Sequence, residues 1–123
     1  MAGVLATYGA NHLMDGTALP STLYAQLHTG NPSAAGTSNV AGTSVRKSFT
    51  RSASSGGSAH NAADIAWPTL SANETLSHLS IWDALTSGNC WFVGALSSSQ
   101  AVTTADTYTI TASSLILTFT VWS

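Results

Sequence analysis

Apolar and polar residues alternate from Thr22 to Thr29, TLYAQLHT, with Leu23, Ala25 and Leu27 on one side and Tyr24, Gln26 and His28 on the other. A period of two is the signature of a half-buried strand. The stretch from Leu76 to Leu96, LSHLSIWDALTSGNCWFVGAL, carries that signature twice. Leu79 and Ile81 face away from His78, Ser80 and Trp82; Thr86, Ser87, Gly88 and Asn89 then supply turn chemistry, and Cys90 to Val93 resumes an apolar run. This predicts a β-hairpin at the centre of the chain, with Trp82, Asp83, Gly88 and Asn89 as its structural turn residues. The core is expected to hold Leu79, Ile81, Trp82, Val93, Leu96, Leu117 and Phe119, although alternation sets Trp82 opposite Ile81.

On either side of the hairpin the pattern is shorter. Val4, Leu5, Tyr8, His12 and Leu13 fall at helical spacing between Gly3 and Gly16, which predicts a short helix that Leu19-Pro20-Ser21 ends. Gly30 to Ser44, GNPSAAGTSNVAGTS, is rich in turn formers and poor in apolar residues, and is expected as an exposed, extended arm. Val45 to Arg51 alternates with cations on both faces, as an edge strand can. Ser52 to Asn61 reads as a loop and Ala62 to Pro68 as a short strand. Ala101 to Asp106 reads as a polar connection, Thr107 to Thr111 as a strand, Ala112 to Ser114 as a turn, and Leu115 to Trp122 as a last strand. Strands at intervals of about ten residues predict an all-β fold: an antiparallel β-sandwich or jelly-roll-like single domain over residues 1–123. It has an N-terminal segment 1–20, a short helix or an extended arm, and an extended loop or arm 30–44.

Composition narrows the function. Charged residues are 7% of the 123, and the polar share falls to Ser, Thr, Gly and Asn. With Arg46, Lys47 and Arg51 as the cations and a net charge of −2, the chain lacks the basic footprint of a nucleic-acid binder. So little charge offers weak protection against self-association, which suits a protein that works in an assembly. Cys90 is a lone cysteine in an apolar run and reads as a small buried hydrophobe. No basic, apolar leader opens the chain and no segment is long enough to span a bilayer, so it is expected to be made in the cytoplasm without membrane insertion. The sequon Asn73-Glu74-Thr75 is accordingly assigned no glycan.

Catalytic chemistry is not legible. Ser80, His78 and Asp83 have the residue types of a triad, but neighbours on one strand do not form one, and no nucleophile elbow is present. His12, His28, His60 and His78 lack metal-ligand spacing, and the five acids form no adjacent pair. Trp67, Trp82, Trp91 and Trp122 fall on predicted strands and read as core or interface, with sugar stacking open to an exposed one. No enzyme activity, cofactor or metal is expected.

An ordered series of motifs then emerges: L-Y-x-x-L-H-T-x-x-P-x-x-x-G-T at Leu23 to Thr37, the Arg46 strand, Trp67-Pro68, H-L-S-I-W-D-A at His78 to Ala84, S-G-N at Ser87 to Asn89, G-A-L at Gly94 to Leu96 and A-D-T at Ala105 to Thr107. With Asn11-His12-Leu13-Met14-Asp15 before it, this series resembles a widespread set of small tailed-phage virion proteins often labelled tail-fibre proteins. Ser87 and Ala105 stand where that family tends to place turn glycines, and Ser44 where it tends to place an aromatic. The resemblance implies a bacteriophage virion structural protein without catalytic residues. Two readings follow: a capsid decoration (cement) protein that stabilises the shell through subunit contacts, or a tail or fibre-tip adhesion module that binds the host surface. The chain has no heptads for a stalk and little room for an attachment domain, which favours decoration. Partners are then the phage major capsid protein or other virion proteins, in a homo-oligomer, a trimer before other states. Candidate interface residues are Asn31, Pro32, Asn39, Val40, Arg46, Lys47 and Arg51, on the arm and the basic strand.

Overall fold

The computed structural model describes residues 2–5, 20–42, 45–52 and 58–118. These hold nine strands: β1 (Ala2–Leu5), β2 (Thr22–His28), β3 (Lys47–Thr50), β4 (Ser58–His60), β5 (Ile65–Trp67), β6 (Glu74–Trp82), β7 (Cys90–Val102), β8 (Tyr108–Ile110) and β9 (Ile116–Thr118). No helix occurs among the described residues, and the fold is all-β and sandwich-like. Seven strands form one sheet in the order β3-β2-β6-β7-β1-β9-β4, and β5 pairs with β8 as a separate ribbon. Pairing is antiparallel except between β1 and β9.

The β6–β7 hairpin lies at the middle of the large sheet, flanked by β2 and β1. Its register is interrupted between Ile81 and Trp82, where β7 carries one extra residue, Trp91, between the partners Phe92 and Cys90. That bulge turns Trp91 and Phe92 both into the main core, while Cys90 and Val93 join Trp82 on the other face. A larger irregularity between Leu76 and His78 sets Ser97, Ser98 and Ser99 out of the ladder, exposed on β7.

The main core is built from the inward positions of both layers. Leu23, Ala25 and Leu27 from β2, Leu79 and Ile81 from β6, and Phe92 from β7 meet Ile65 and Trp67 of β5 and Ile110 of β8. Trp67 also donates its indole N–H to the Val45 carbonyl at 2.8 Å, which hooks the ribbon to the chain entering β3. The two outer strands of the large sheet meet at one corner, through an Arg51–Asn61 bridge and backbone bonds from Ser52 to His60 and from Ala62 to Thr50. Asn61, fully buried, organises that corner. Its amide donates to the carbonyls of Ala63 and Thr111, and its side-chain oxygen accepts from the Leu115 N–H. No polar side-chain atom buried among the described residues lacks a partner.

Several expectations meet this structure directly. Leu79, Ile81, Trp82, Val93, Leu96 and Leu117 are buried; Phe119 lies outside the described residues. The short helix is not found at its start, because Ala2–Leu5 is a strand held between β7 and β9; residues 6–19 lie outside the described residues. The Ser52 to Asn61 loop contains β4, and β7 continues through the polar run that follows Leu96.

Of the arm expected over residues 30–44, residues 30–42 fold back on themselves, and residues 43 and 44 lie outside the described residues. The Asn31 side chain accepts from the Ser33 N–H at 2.8 Å, Ser38 N–H donates to the Pro32 carbonyl, and the Asn39 amide donates to the Asn31 carbonyl. Thr29 N–H to the Asn39 carbonyl and Ala41 N–H to the Leu27 carbonyl then stitch the loop to β2. A segment poor in apolar residues stays compact here because its own turns satisfy its backbone.

Both positions where glycine is replaced lie in the left-handed region, with φ of 55° at Ser87 and 74° at Ala105. An L-residue there costs about 1–2 kcal/mol, against about 0.5–1 kcal/mol of extra unfolded-chain entropy for glycine. Ser87→Gly and Ala105→Gly are therefore each expected to raise stability by roughly 0.5–1 kcal/mol. Thermal unfolding of the two variants checks this; a lowered Tm in both contradicts the strain.

Candidate functional site

The second face of the hairpin is the chemically richer one. Tyr24, Gln26 and His28 project from β2 and Ser80 and Trp82 from β6, because alternation that sends Leu23, Ala25, Leu27, Leu79 and Ile81 inward leaves these on the opposite side. Loop 30–42 covers one end of this face, and Arg46 covers its other end.

His28 and Ser80, both fully buried, join loop to sheet. Nδ1 of His28 lies 2.9 Å from the Ser38 carbonyl and Nε2 lies 2.7 Å from Ser80 Oγ, which also accepts the Trp82 indole N–H at 2.7 Å. A carbonyl can only accept, so the proton sits on Nδ1, and the Ser80 hydroxyl donates to Nε2. One neutral tautomer satisfies every group in the chain. Burial, helped by nearby His78, pushes the His28 imidazole below its ordinary 6.5 against the upward pull of the Ser38 and Asn39 backbone. The Ser80–His28 spacing is that of a nucleophile and its base, yet neither atom is accessible and the hydroxyl is already held by Trp82. The pair is a structural pin.

Gly36 seats the loop against this face. It is buried with φ of 73°, and a methyl there would fall 2.5 Å from Cys90 Sγ and 3.3 Å from the Trp82 ring. Burial pushes the Cys90 thiol up to about 11, so it stays protonated and packs as a small hydrophobe.

At the other end, Arg46 lies over Trp82 with its guanidinium carbon 3.9 Å from the ring centroid. Its Nη1 donates to the carbonyls of Ala84 at 2.9 Å and Ser87 at 2.6 Å. The turn is locked from within by Asp83, which accepts from the Asn89 N–H at 2.8 Å and from the Trp91 indole at 3.1 Å. Burial works to raise the Asp83 carboxyl, but the hydrogen bonds from Asn89 and Trp91 together hold it below its ordinary value. Gly88, at φ of 74°, leaves the space that Asp83 and Ala84 occupy.

Two surface depressions open beside this clamp. The larger, about 440 Å³, is lined by Gln26, Val45, Arg46, Leu85, Thr86 and Ser87. The second, about 230 Å³, includes Val45, Lys47, Trp67, Pro68 and Thr69. Val45, 62% exposed, borders both, and Leu85, 54% exposed, rims the first.

The sequence-nominated residues are thus distributed. Trp82, Asp83, Gly88 and Asn89 form one turn around Arg46. Asn31, Asn39 and Val40 are exposed on the folded loop, and Pro32 is buried beneath it. Lys47 is half-buried on the edge strand, and Arg51 donates to the Pro20 and Ser52 carbonyls. Both arginines hold backbone carbonyls of their own chain. His28, Ser80, Gly36 and Leu85 were not anticipated as a group; His28 and Ser80 share a place on the strand face opposite the apolar alternation, while Gly36 and Leu85 lie in loops that pattern does not reach. Among the described residues no cluster of His, Cys, Asp and Glu could hold a metal ion, and no described helix is long and apolar enough to cross a membrane.

A family model described as podophage GP4 fiber I protein gp80 matches residues 1–118. No curated protein matches the chain.

Gly36→Ala is expected to destabilise by about 1–3 kcal/mol, through left-handed strain and overpacking against Cys90. Adding Cys90→Ala should recover part of that loss in chemical denaturation; no recovery removes the contact as the cause. Because the folded pKa of His28 lies below 6.5, the unfolded chain binds more protons, and its contribution is complete above 6.5 and lost as pH falls toward the folded value. Asp83 acts in the same sense only below its ordinary 3.8. Tm should therefore fall between pH 6.5 and 5, with a smaller fall in His28→Gln.

Proposed function

The chain belongs to the podophage GP4 fiber I protein gp80 family, and from that premise we propose that this phage virion structural protein serves the tail or fibre and meets the host surface through the end of the sheet that carries Arg46. The family's description supports the fibre reading above the capsid-cement reading. The observation that carries the placement is the surface at the hairpin turn, where exposed Val45 and Leu85 stand beside a cation held rigidly on Trp82. Loop 30–42 satisfies its own backbone, and its exposed Asn31, Asn39 and Val40 add a polar contour to the same face at its His28 end. Asn, Ser, Thr and Tyr on a rigid β scaffold make an adaptable polar contact surface with little charge to desolvate. Arg46, Lys47 and Arg51 belong to this reading as positioning and contact residues. No catalytic step is involved.

Copy number in the particle tests it. Quantitative mass spectrometry against the major capsid protein should find a handful of copies per virion, and the purified protein should bind host cells and slow phage adsorption. Hundreds of copies, with binding to empty capsids and none to cells, return the decoration reading.

A further inference from the structure

We propose that the paired depressions on either side of Val45 form a binding site for an acidic oligosaccharide, one carboxylate-bearing sugar in each. The inference rests on the host-surface reading for the origin of such a sugar. Its own ground is the geometry of the two cations. Arg46 lines one depression and Lys47 the other, and Val45 borders both.

Arg46 is half committed. Its Nη1 holds the carbonyls of Ala84 and Ser87, and its flat face rests on Trp82, while Nε and Nη2 have no partner among the described residues. A guanidinium fixed in this way offers the remaining N–H groups with little further entropy to lose, in the planar fork that a carboxylate matches. Around it, the hydroxyl-bearing Thr86 and Ser87 line the same depression as the apolar Val45 and Leu85. That mixture suits a sugar, which has hydroxyls on its rim and C–H groups on its faces. At about 440 Å³ the cavity falls in the range of small-ligand sites.

A second copy of the chain is a poorer occupant. Asp64, Asp83 and Asp106 each accept backbone N–H bonds in their own turns, and Glu74 accepts the Gly42 N–H, so each described acid already serves its own chain. A free ligand supplies the missing carboxylate more simply.

Titration calorimetry and saturation-transfer NMR with galacturonate, trigalacturonate and neutral maltotriose test the site. Trigalacturonate should bind about fivefold tighter than galacturonate, as a second exposed ion pair allows, with maltotriose weaker than both. Lys47→Gln should abolish the gain from the longer ligand and leave galacturonate binding intact. Because Arg46→Ala also loosens the turn, Leu85→Asp at an exposed rim position provides the second variant, and it should weaken both acidic ligands in a folded protein. Equal binding of maltotriose, or no change in either variant, overturns the site. If the acids fail to bind while the protein still coats host cells, the saccharide site falls and the adhesion reading stands. If they bind as described but cells are not recognised, the site stands and the adhesion reading falls.

Discussion

The Ser80 hydroxyl is the point on which both ends of this structure depend. It is fully buried between a Trp82 donor and a His28 acceptor, and His28 in turn requires the Ser38 carbonyl. Without loop 30–42 in place, that imidazole would face water or stand unsatisfied, and Trp82 would lose the neighbour that fixes its indole. Trp82 is also the surface on which Arg46 rests. A polar chain of four groups therefore runs from the Ser38 carbonyl of the loop to Trp82, on which the Arg46 clamp rests. An unpaired buried polar group costs about 1–3 kcal/mol, so the arrangement favours all its members together or none.

Much of the fold was legible from alternation alone. Strand β2, the central hairpin and the inward positions Leu79, Ile81 and Leu117 follow from a period of two and a turn of Thr, Ser, Gly and Asn. Periodicity says which residues share a face but not what covers that face. His28 and Ser80 looked solvent-facing because they are polar, and loop 30–42 looked free because it is polar; each is in fact the cover of the other. Backbone turns that satisfy themselves leave no hydrophobic trace in a sequence. The Trp91 bulge escaped for a related reason, since an extra residue within an apolar run changes the face without changing the composition. The resemblance carried more than the pattern at Ser87 and Ala105, where missing glycines marked left-handed backbone that no hydropathy argument detects.

The same structure explains how a chain with only 7% charged residues can present a defined surface. Arg46 and Arg51 are held by carbonyls of their own chain, and the described acids by turn N–H groups. Charge here works first as an internal fastener. What faces outward is a relief of amides, hydroxyls and a few apolar tips.

Strand β1 has a consequence of another sort. Its last residues pair with β7 and its first with β9, more than a hundred residues further along the chain. During translation β1 must wait for nearly all of this sheet to leave the ribosome before its parallel partner exists. Contacts of such high order slow folding, and until they form, the β7 edge at Phe92 and Val93 stays open to wrong pairings. A nascent chain thus completes this sheet only once its last described strand has been made.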